Sequence, residues 1–247
     1  MMPYLYIVIP TYMLMAVIGI FFAVGLTFFR IEKYEVSFSQ FVILLIWVVV
    51  GLVIGSKLLF ALTQIPWLIE NFSAENLLLL IPRSGYVYYG GLLGMLAAIV
   101  IYTKKTAKNT GKYLRLIASA IPLFHGFGRI GCFLTGCCYG KTISPHWHLF
   151  GLELDRIPVQ LIEASFEFLL FILLLYLSLK KPQINGVTVY IIVYACFRFT
   201  IEFFRGDTVR GIFLGLSTSQ WISLAIILVI VVRSVVNGKS IWIDTDK

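Results

Sequence analysis

The chain has 247 residues, 60% of them hydrophobic and only 13% charged, with a mean hydropathy of +0.93. A soluble domain of this length cannot bury that much apolar surface, so the composition excludes a soluble globular enzyme and points to an all-α, polytopic integral membrane protein. A formal net charge of +8 would suit a nucleic-acid surface, but the basic residues fall between apolar runs, where they set topology, and no nucleic-acid partner is expected.

Crossing ~30 Å of hydrocarbon takes about 20 helical residues, and seven apolar runs are long enough: 4–29, 38–62, 85–103, 113–133, 158–179, 187–204 and 217–236. The first lacks a basic flank and is too long for a signal-peptide core, so it reads as a retained span. No internal repeat or soluble domain stands out, and residues 1–247 read as one transmembrane domain. With the N-terminus outside, Arg30, Lys33, Lys104, Lys105, Lys108, Lys112, Arg115, Lys180, Lys181, Arg233, Lys239 and Lys247 fall on the cytoplasmic side. The outer loops then receive only Arg83, Lys141, Arg156, Arg205 and Arg210. The positive-inside bias therefore predicts N-out and C-in.

Ionisable and polar groups inside such spans are functional-site candidates by default, because each costs several kcal/mol unless paired or facing water. In chain order the first is Tyr12, in span one. YVYYGGLLG, from Tyr86 to Gly94, opens span three; its aromatics read first as interface anchors, and Gly90 beside Gly91 in a span more often marks tight helix packing than catalysis. HGFGRIGCFLTGCCYG, from His125 to Gly140, places Arg129 among Gly126, Gly128 and Gly131, which strip bulk from around the guanidinium. His125 lies four residues earlier, on the same helical face. The later glycines, Gly136 and Gly140, predict that the helix gives way to a loop lining a cavity.

Glu163 follows in PVQLIEASFE on span five, with Glu167 one turn on. In YACFRFTIEFFRGD, Tyr194, Arg198, Glu202 and Arg205 form one helical stripe of phenol, cation, anion and cation. Arg198 and Glu202 either neutralise each other or help hold a charged head group. Cys196 reads as a small buried core residue. Cys132, Cys137 and Cys138 cluster near the outer face, but C-x4-C-C fits a zinc site poorly, and packing or site lining is the simpler role.

In the N-out topology these groups fall toward the outer half of the membrane, which predicts one outward-biased polar cavity. Arginine's planar fork matches phosphate oxygens and stays charged at any working pH. Arg129, Arg198 and Arg205 are thus suited to hold a phosphodiester at the bilayer interface and to stabilise charge developing on a leaving phosphate. Glu202 or Glu163 is suited to orient an arginine or take a proton.

GFGRIGCFLTGCCYGK resembles the signature of the prolipoprotein diacylglyceryl transferase family, whose usual form is G-R-x-G-N-F-x-N-x-E-x-x-G. TYMLM around Tyr12 resembles the family's first-span motif. YYGGLLG resembles its H-G-G-L-x-G run, and IPVQLIEA its proline-glutamine-glutamate element. RFTIEFFRGD resembles R-F-x-x-E-F-F-R, and LSTSQWISL the last-span L-T-x-x-Q. The resemblance implies transfer of the diacylglyceryl group of phosphatidylglycerol to the sulfhydryl of the lipobox cysteine in prolipoprotein signal peptides, with release of glycerol phosphate. It implies a bacterial plasma-membrane enzyme of lipoprotein biosynthesis needing no metal or soluble cofactor. Carried over residue by residue, it makes Arg129, Arg198, Glu202, Tyr89 and Tyr12 candidate catalytic residues. Arg205, Tyr194, Gly90, Gly91, Gly128, Gly131, Gly140, Glu163 and His125 join Arg129 and Arg198 as candidate substrate-binding residues.

Three positions depart from the family pattern. Tyr89 stands where a histidine is usual, and a phenol is a poorer base than an imidazole at neutral pH. Cys132 replaces the signature asparagine and Cys137 its glutamate. Two other readings therefore stay open: a phospholipid-binding or transport protein without catalysis, and a transferase using the same donor with a different acceptor.

Overall fold

A computed structural model describes residues 4–5, 9–73, 87–106, 108–149, 152–206 and 211–237. The expected start of the third span at Gly85 and Tyr86 lies outside the described residues, as do Asp207 and the topology-setting Arg83, Arg210, Lys239 and Lys247. The chain is predominantly helical, with three short two-stranded antiparallel ladders. Among the described residues six helical segments are long and apolar enough to cross a membrane: Thr11–Phe28, Phe38–Thr63, Thr110–Thr135, Val159–Lys180, Gly186–Phe204 and Thr218–Val236. Their outer faces expose large apolar side chains such as Phe21, Ile46, Leu169 and Leu228, as contact with lipid requires. The expected third span is the 18-residue helix Tyr88–Lys105, which carries Lys104 and Lys105 in its last turn. The expectation of seven spans therefore rests on this helix.

The contacts divide the chain into two compact units, residues 30–114 and residues 1–29 with 115–247. In the first unit, α2 (Phe38–Thr63) opens on a reciprocal cap. The Gln40 N–H donates to Ser37 Oγ and the Ser37 N–H to Gln40 Oε1, each at 3.4 Å, satisfying two amides with no helical partner. A short helix α3 (Ile65–Glu70) follows, then α4 (Tyr88–Lys105). Helices α2 and α4 meet through glycines four residues apart on each: Gly51 and Gly55 against Gly90 and Gly94. A β-carbon on Gly94 would lie 2.7 Å from the Gly55 Cα, and one on Gly90 would lie 2.6 Å from the Leu59 Cβ. In a membrane, where apolar side chains gain nothing by leaving lipid for each other, such close backbone approach supplies the packing energy. Ser56 Oγ donates to the Val87 carbonyl at 3.1 Å and ties the start of α4 to the middle of α2.

The second unit holds α1 (Thr11–Phe28), α6 (Ala120–Thr135), α7 (Val159–Lys180), α8 (Gly186–Ile201) and α9 (Thr218–Asn237). The first span is shorter than expected: β1 (Tyr4–Leu5) pairs with β2 (Ile9–Pro10) before the helix begins. Pro10 explains the start, since proline disfavours helical geometry in the residue before it and is tolerated beside a helix's first turn. The fourth span is likewise not one uninterrupted helix. A turn at residues 118–119 separates α5 (Thr110–Ile117) from α6. Pro122 explains the break, because in a continuous helix its ring would meet the carbonyl four residues back, at Ala118.

Helix α6 packs on α1 with Phe22 and Phe127 stacked at 5.4 Å, and on α7 with the Phe168 ring seated over Gly126. The α6–α7 connection is the hairpin of β3 (Thr142–Leu149) and β4 (Leu152–Arg156). Helix α8 tightens into a 3-10 turn at Glu202–Phe204. A small ladder, β5 (Ile212–Phe213) with β6 (Leu216–Ser217), precedes α9. LSTSQ proves to be that helix's cap: the Ser217 N–H donates to Gln220 Oε1 at 2.9 Å and the Gln220 N–H to Ser217 Oγ at 3.3 Å. The Gln220 amide also donates to the Phe199 carbonyl at 3.2 Å, fixing α9 against α8.

Candidate functional site

Helices α6, α7 and α8 bring together the charged groups that the sequence scatters over 78 positions. Glu163, on the first turns of α7 and 1% exposed, is the hub. Its Oε1 accepts from Arg198 Nη1 at 2.7 Å, and its Oε2 pairs with Arg129 Nη2. One carboxylate thus bridges the arginines of two helices. Arg198 also pairs with Glu202 Oε2 at 2.7 Å, one turn along α8, and its Nη2 donates to Ser219 Oγ of α9 at 3.3 Å. The sequence left Arg198 with Glu202 as either mutual neutralisation or a head-group site; the pair forms, within a network that also holds Glu163 and Arg129. Buried Arg198 and partly exposed Arg129 are compensated by two buried carboxylates, which is the condition for charge to persist inside such a bundle.

His125, one turn before Arg129, is buried with Glu167, whose Oε1 lies 2.8 Å from its Nδ1. The His125 ring meets Tyr194 edge-to-face at 5.2 Å, and Tyr194 stacks on Tyr190 at 5.7 Å. Tyr194 therefore lies on the Arg198 stripe as expected, but its ring neighbour is the histidine. Glu167 was a signal left undecided in the sequence: four residues after Glu163, it occupies the same face of α7 and lies within 1% of full burial.

The glycines of α6 differ from one another. Gly131 has Tyr12 and Met15 of α1 against it; a β-carbon there would lie 3.2 Å from the Tyr12 ring. Tyr12 itself is half exposed. Gly128, beside Arg129, has open space where a side chain would stand. Helix α6 ends on Gly136 at φ 75°, a left-handed cap that glycine adopts without steric cost. The loop after it threads between backbones: the Gly140 N–H donates to the Ile157 carbonyl at 3.1 Å and the Lys141 N–H to the Phe204 carbonyl at 2.9 Å. Arg205, expected as the last member of the helical stripe, instead lies past the 3-10 turn in extended backbone, where it forms a bridge with Gly140. A β-carbon at Gly140 would lie 2.7 Å from the Ile157 Cβ, so the residue closing the signature is a packing requirement that also fixes the Arg205 backbone. The expected loop after the helix is present, and Gln160 anchors it by donating to the Cys137 carbonyl at 2.6 Å. A cavity of about 270 Å³ lies beside this loop, against Gly136, Tyr139, Arg156 and Gln160.

The same loop returns Cys137 and Cys138 to Cys132. The three sulfurs lie within 4.8 Å of one another, a convergence that C-x4-C-C spacing does not reveal because it depends on the reversal at Gly136. Arg129 Nη1 approaches Cys132 Sγ at 3.9 Å, linking the thiols to the carboxylate-bridged arginines. Hydrogen bonds from Cys132 and Cys137, and then the positive charges of Arg129 and Arg205, hold the Cys138 thiol well below the ordinary thiol range. Cys196, expected to be buried, is exposed on α8, as an apolar thiol facing lipid can be.

Tyr89, Gly90 and Gly91 belong to the other compact unit. Tyr89 is buried at the start of α4, beside Tyr88 at 6.2 Å between ring centres. Gly90 lies in the α2–α4 contact, and a β-carbon on Gly91 would rest 3.5 Å from Leu52.

A bundle of apolar helices with a buried arginine–carboxylate network defines a multi-pass membrane protein built around a polar site. Residues 2–236 match the prolipoprotein diacylglyceryl transferase family. The chain is 35% identical over 223 residues to the phosphatidylglycerol–prolipoprotein diacylglyceryl transferase of Clostridium tetani (strain Massachusetts / E88), covering 87% of this chain and 88% of that one. It is 33% identical to the Campylobacter hominis protein of the same name over 232 residues, 88% of this chain and 82% of that one. The Helicobacter pylori (strain G27) protein of that name is 33% identical over 218 residues, 80% and 76% of the two chains. The chain belongs to the prolipoprotein diacylglyceryl transferase family.

Proposed function

We propose that this transferase moves the diacylglyceryl group of phosphatidylglycerol to the sulfhydryl of the lipobox cysteine of prolipoproteins, releasing glycerol phosphate. It works in the bacterial plasma membrane, as seven spans with the N-terminus outside, from a cavity toward the outer leaflet. The observation that carries this reading is the Glu163 carboxylate shared by Arg129 and Arg198 inside membrane-spanning helices.

Arg129 and Arg198 pair with Glu163 and Glu202, and Arg205, just beyond the end of α8, is a further cation for a phosphodiester. Glu163 holds two guanidinium forks in fixed orientations, so their remaining N–H groups need no reorganisation when the lipid arrives. Attack by the acceptor sulfur on the glyceryl carbon bonded to the phosphodiester oxygen transfers an electron pair to the departing glycerol phosphate. Arginines already set around that phosphate stabilise the growing charge. Glu202 positions Arg198, and His125 with Glu167 forms a buried proton-holding pair one turn from Arg129. The open side of Gly128 gives the head group room beside Arg129, while Tyr12 and Tyr194 border the site.

The test is incubation of the purified chain with phosphatidylglycerol and a cysteine-containing lipobox peptide. A thioether-linked diacylglyceryl peptide and one equivalent of glycerol phosphate are expected, both lost in Arg198→Ala. Donor binding without glycerol phosphate release would replace the reading with a non-catalytic lipid-binding protein. Label appearing in another acceptor would keep the donor and change the product.

A further inference from the structure

The three thiols at the end of α6 form a site with its own chemistry. Cys132 is buried in the last turn, Cys138 is half-buried and Cys137 is exposed; all three are free thiols. The reversal at Gly136 is followed by Cys138 at φ 59°. A left-handed conformation costs a non-glycine residue about 1–3 kcal/mol, and such strain collects at functional sites. Here it turns the Cys138 side chain back toward Cys132. Sulfurs bound at ~2.3 Å to one tetrahedral zinc ion stand about 3.8 Å apart, so side-chain rotations closing roughly 1 Å convert the present cluster into a coordination shell.

Among the described residues the cluster contains no fourth histidine, cysteine or carboxylate ligand. Four protein ligands mark structural zinc sites, whereas three with an open position mark reactive ones. Soft thiolate donors also select zinc-like cations over magnesium or calcium. Three thiolates around a dication carry one net negative charge, and Arg129 Nη1, 3.9 Å from Cys132 Sγ, is placed to offset it.

We propose that Cys132, Cys137 and Cys138 bind one thiophilic divalent cation of the zinc class whose open position takes the acceptor's cysteine sulfur, next to the arginine that holds the donor's phosphate. The proposal rests on the transferase reading and supplies a means of ionising the acceptor in a chain whose sequence has Tyr89 at the position of the family's histidine. A thiol coordinated to zinc gives up its proton outright, and that proton passes to water. The bound sulfur then forms the C–S bond, the C–O bond to the phosphate breaks, and its electron pair leaves with glycerol phosphate. The metal keeps its oxidation state throughout. The product is a thioether, a far weaker ligand than a thiolate, and it vacates the position for the next acceptor.

Cobalt(II) reports on such a site by colour. Titrating the reduced full-length chain in detergent, without oxygen, is expected to give intense sulfur-to-cobalt absorption saturating at one equivalent and abolished by zinc. Cys137→Ser and Cys138→Ser, with helicity checked by circular dichroism, should each weaken binding at least tenfold, and Cys196→Ser should leave it unchanged. A lipobox peptide should alter the cobalt spectrum, and its cysteine-to-serine analogue should not. Absence of stoichiometric binding, binding indifferent to Cys137 and Cys138, or a disulfide within the trio in metal-free protein would overturn the site. Metal-stripped chain that transfers diacylglyceryl at the parent rate would overturn the metal's role while leaving the transferase reading intact. Cobalt-loaded chain that takes up the peptide but releases no glycerol phosphate would leave the metal site standing and sink the transferase reading.

Discussion

Glycine does opposite work in the two compact units. Between α2 and α4 it removes side chains so that backbones touch, and Gly51, Gly55, Gly90 and Gly94 leave no room for a β-carbon. Along α6 Gly126 and Gly131 are packed too, against Phe168 and Tyr12, but Gly128 beside Arg129 has no described atom within 4 Å of where a β-carbon would stand. The first contact is apolar and gains its energy from close approach. The second region buries Arg198 and three glutamates with Arg129 beside them, a costly arrangement that membrane proteins keep where it serves a reaction or a ligand. The lesson is that a small residue in a span is read by its neighbours' charge: with none it is packing, beside an arginine it is a candidate seat for substrate.

That contrast is broken most severely at Glu163. Glu163→Ala removes the partner shared by the buried Arg198 guanidinium and by Arg129, and is expected to cost about 3–5 kcal/mol, read as a lower melting temperature in detergent. Arg198→Ala should lower turnover by about 10²–10³-fold, measured as glycerol phosphate release. Gly55→Ala overpacks the α2–α4 contact and should destabilise by about 1–3 kcal/mol. Gly128→Ala sharpens the comparison. It should keep or raise stability by up to about 1 kcal/mol, since alanine favours helix over glycine, yet raise KM for phosphatidylglycerol because the added methyl enters the lipid's space. Gln220→Ala, which removes only the α9 cap and its bond to Phe199, should cost about 1 kcal/mol with turnover per folded molecule unchanged.

Much of this was legible in the sequence because charge in hydrocarbon is rare and therefore conspicuous. Arg129, His125, Glu163, Arg198 and Glu202 announce themselves in apolar runs, and the helical stripe from Tyr194 to Glu202 follows from spacing alone. Partner choice was not legible: nothing local tells Glu163 to bridge Arg129 and Arg198, or pairs Glu167 with His125, because those contacts are set by how three helices cross. The break at residues 118–119 was available from Pro122 but hidden by unbroken hydropathy. The meeting of Cys132 with Cys137 and Cys138 depends on left-handed backbone at Gly136 and Cys138, and hydrophobic patterning carries no signal for it.

The central claim is that the carboxylate-bridged arginines grip an anionic phospholipid head group. The most direct measurement is the dissociation constant of phosphatidylglycerol, against phosphatidylcholine as the zwitterionic control, for the parent chain and Arg129→Ala. The account predicts a preference for the anionic lipid that Arg129→Ala abolishes. Equal affinity for the two lipids, or a preference that survives the substitution, would contradict it.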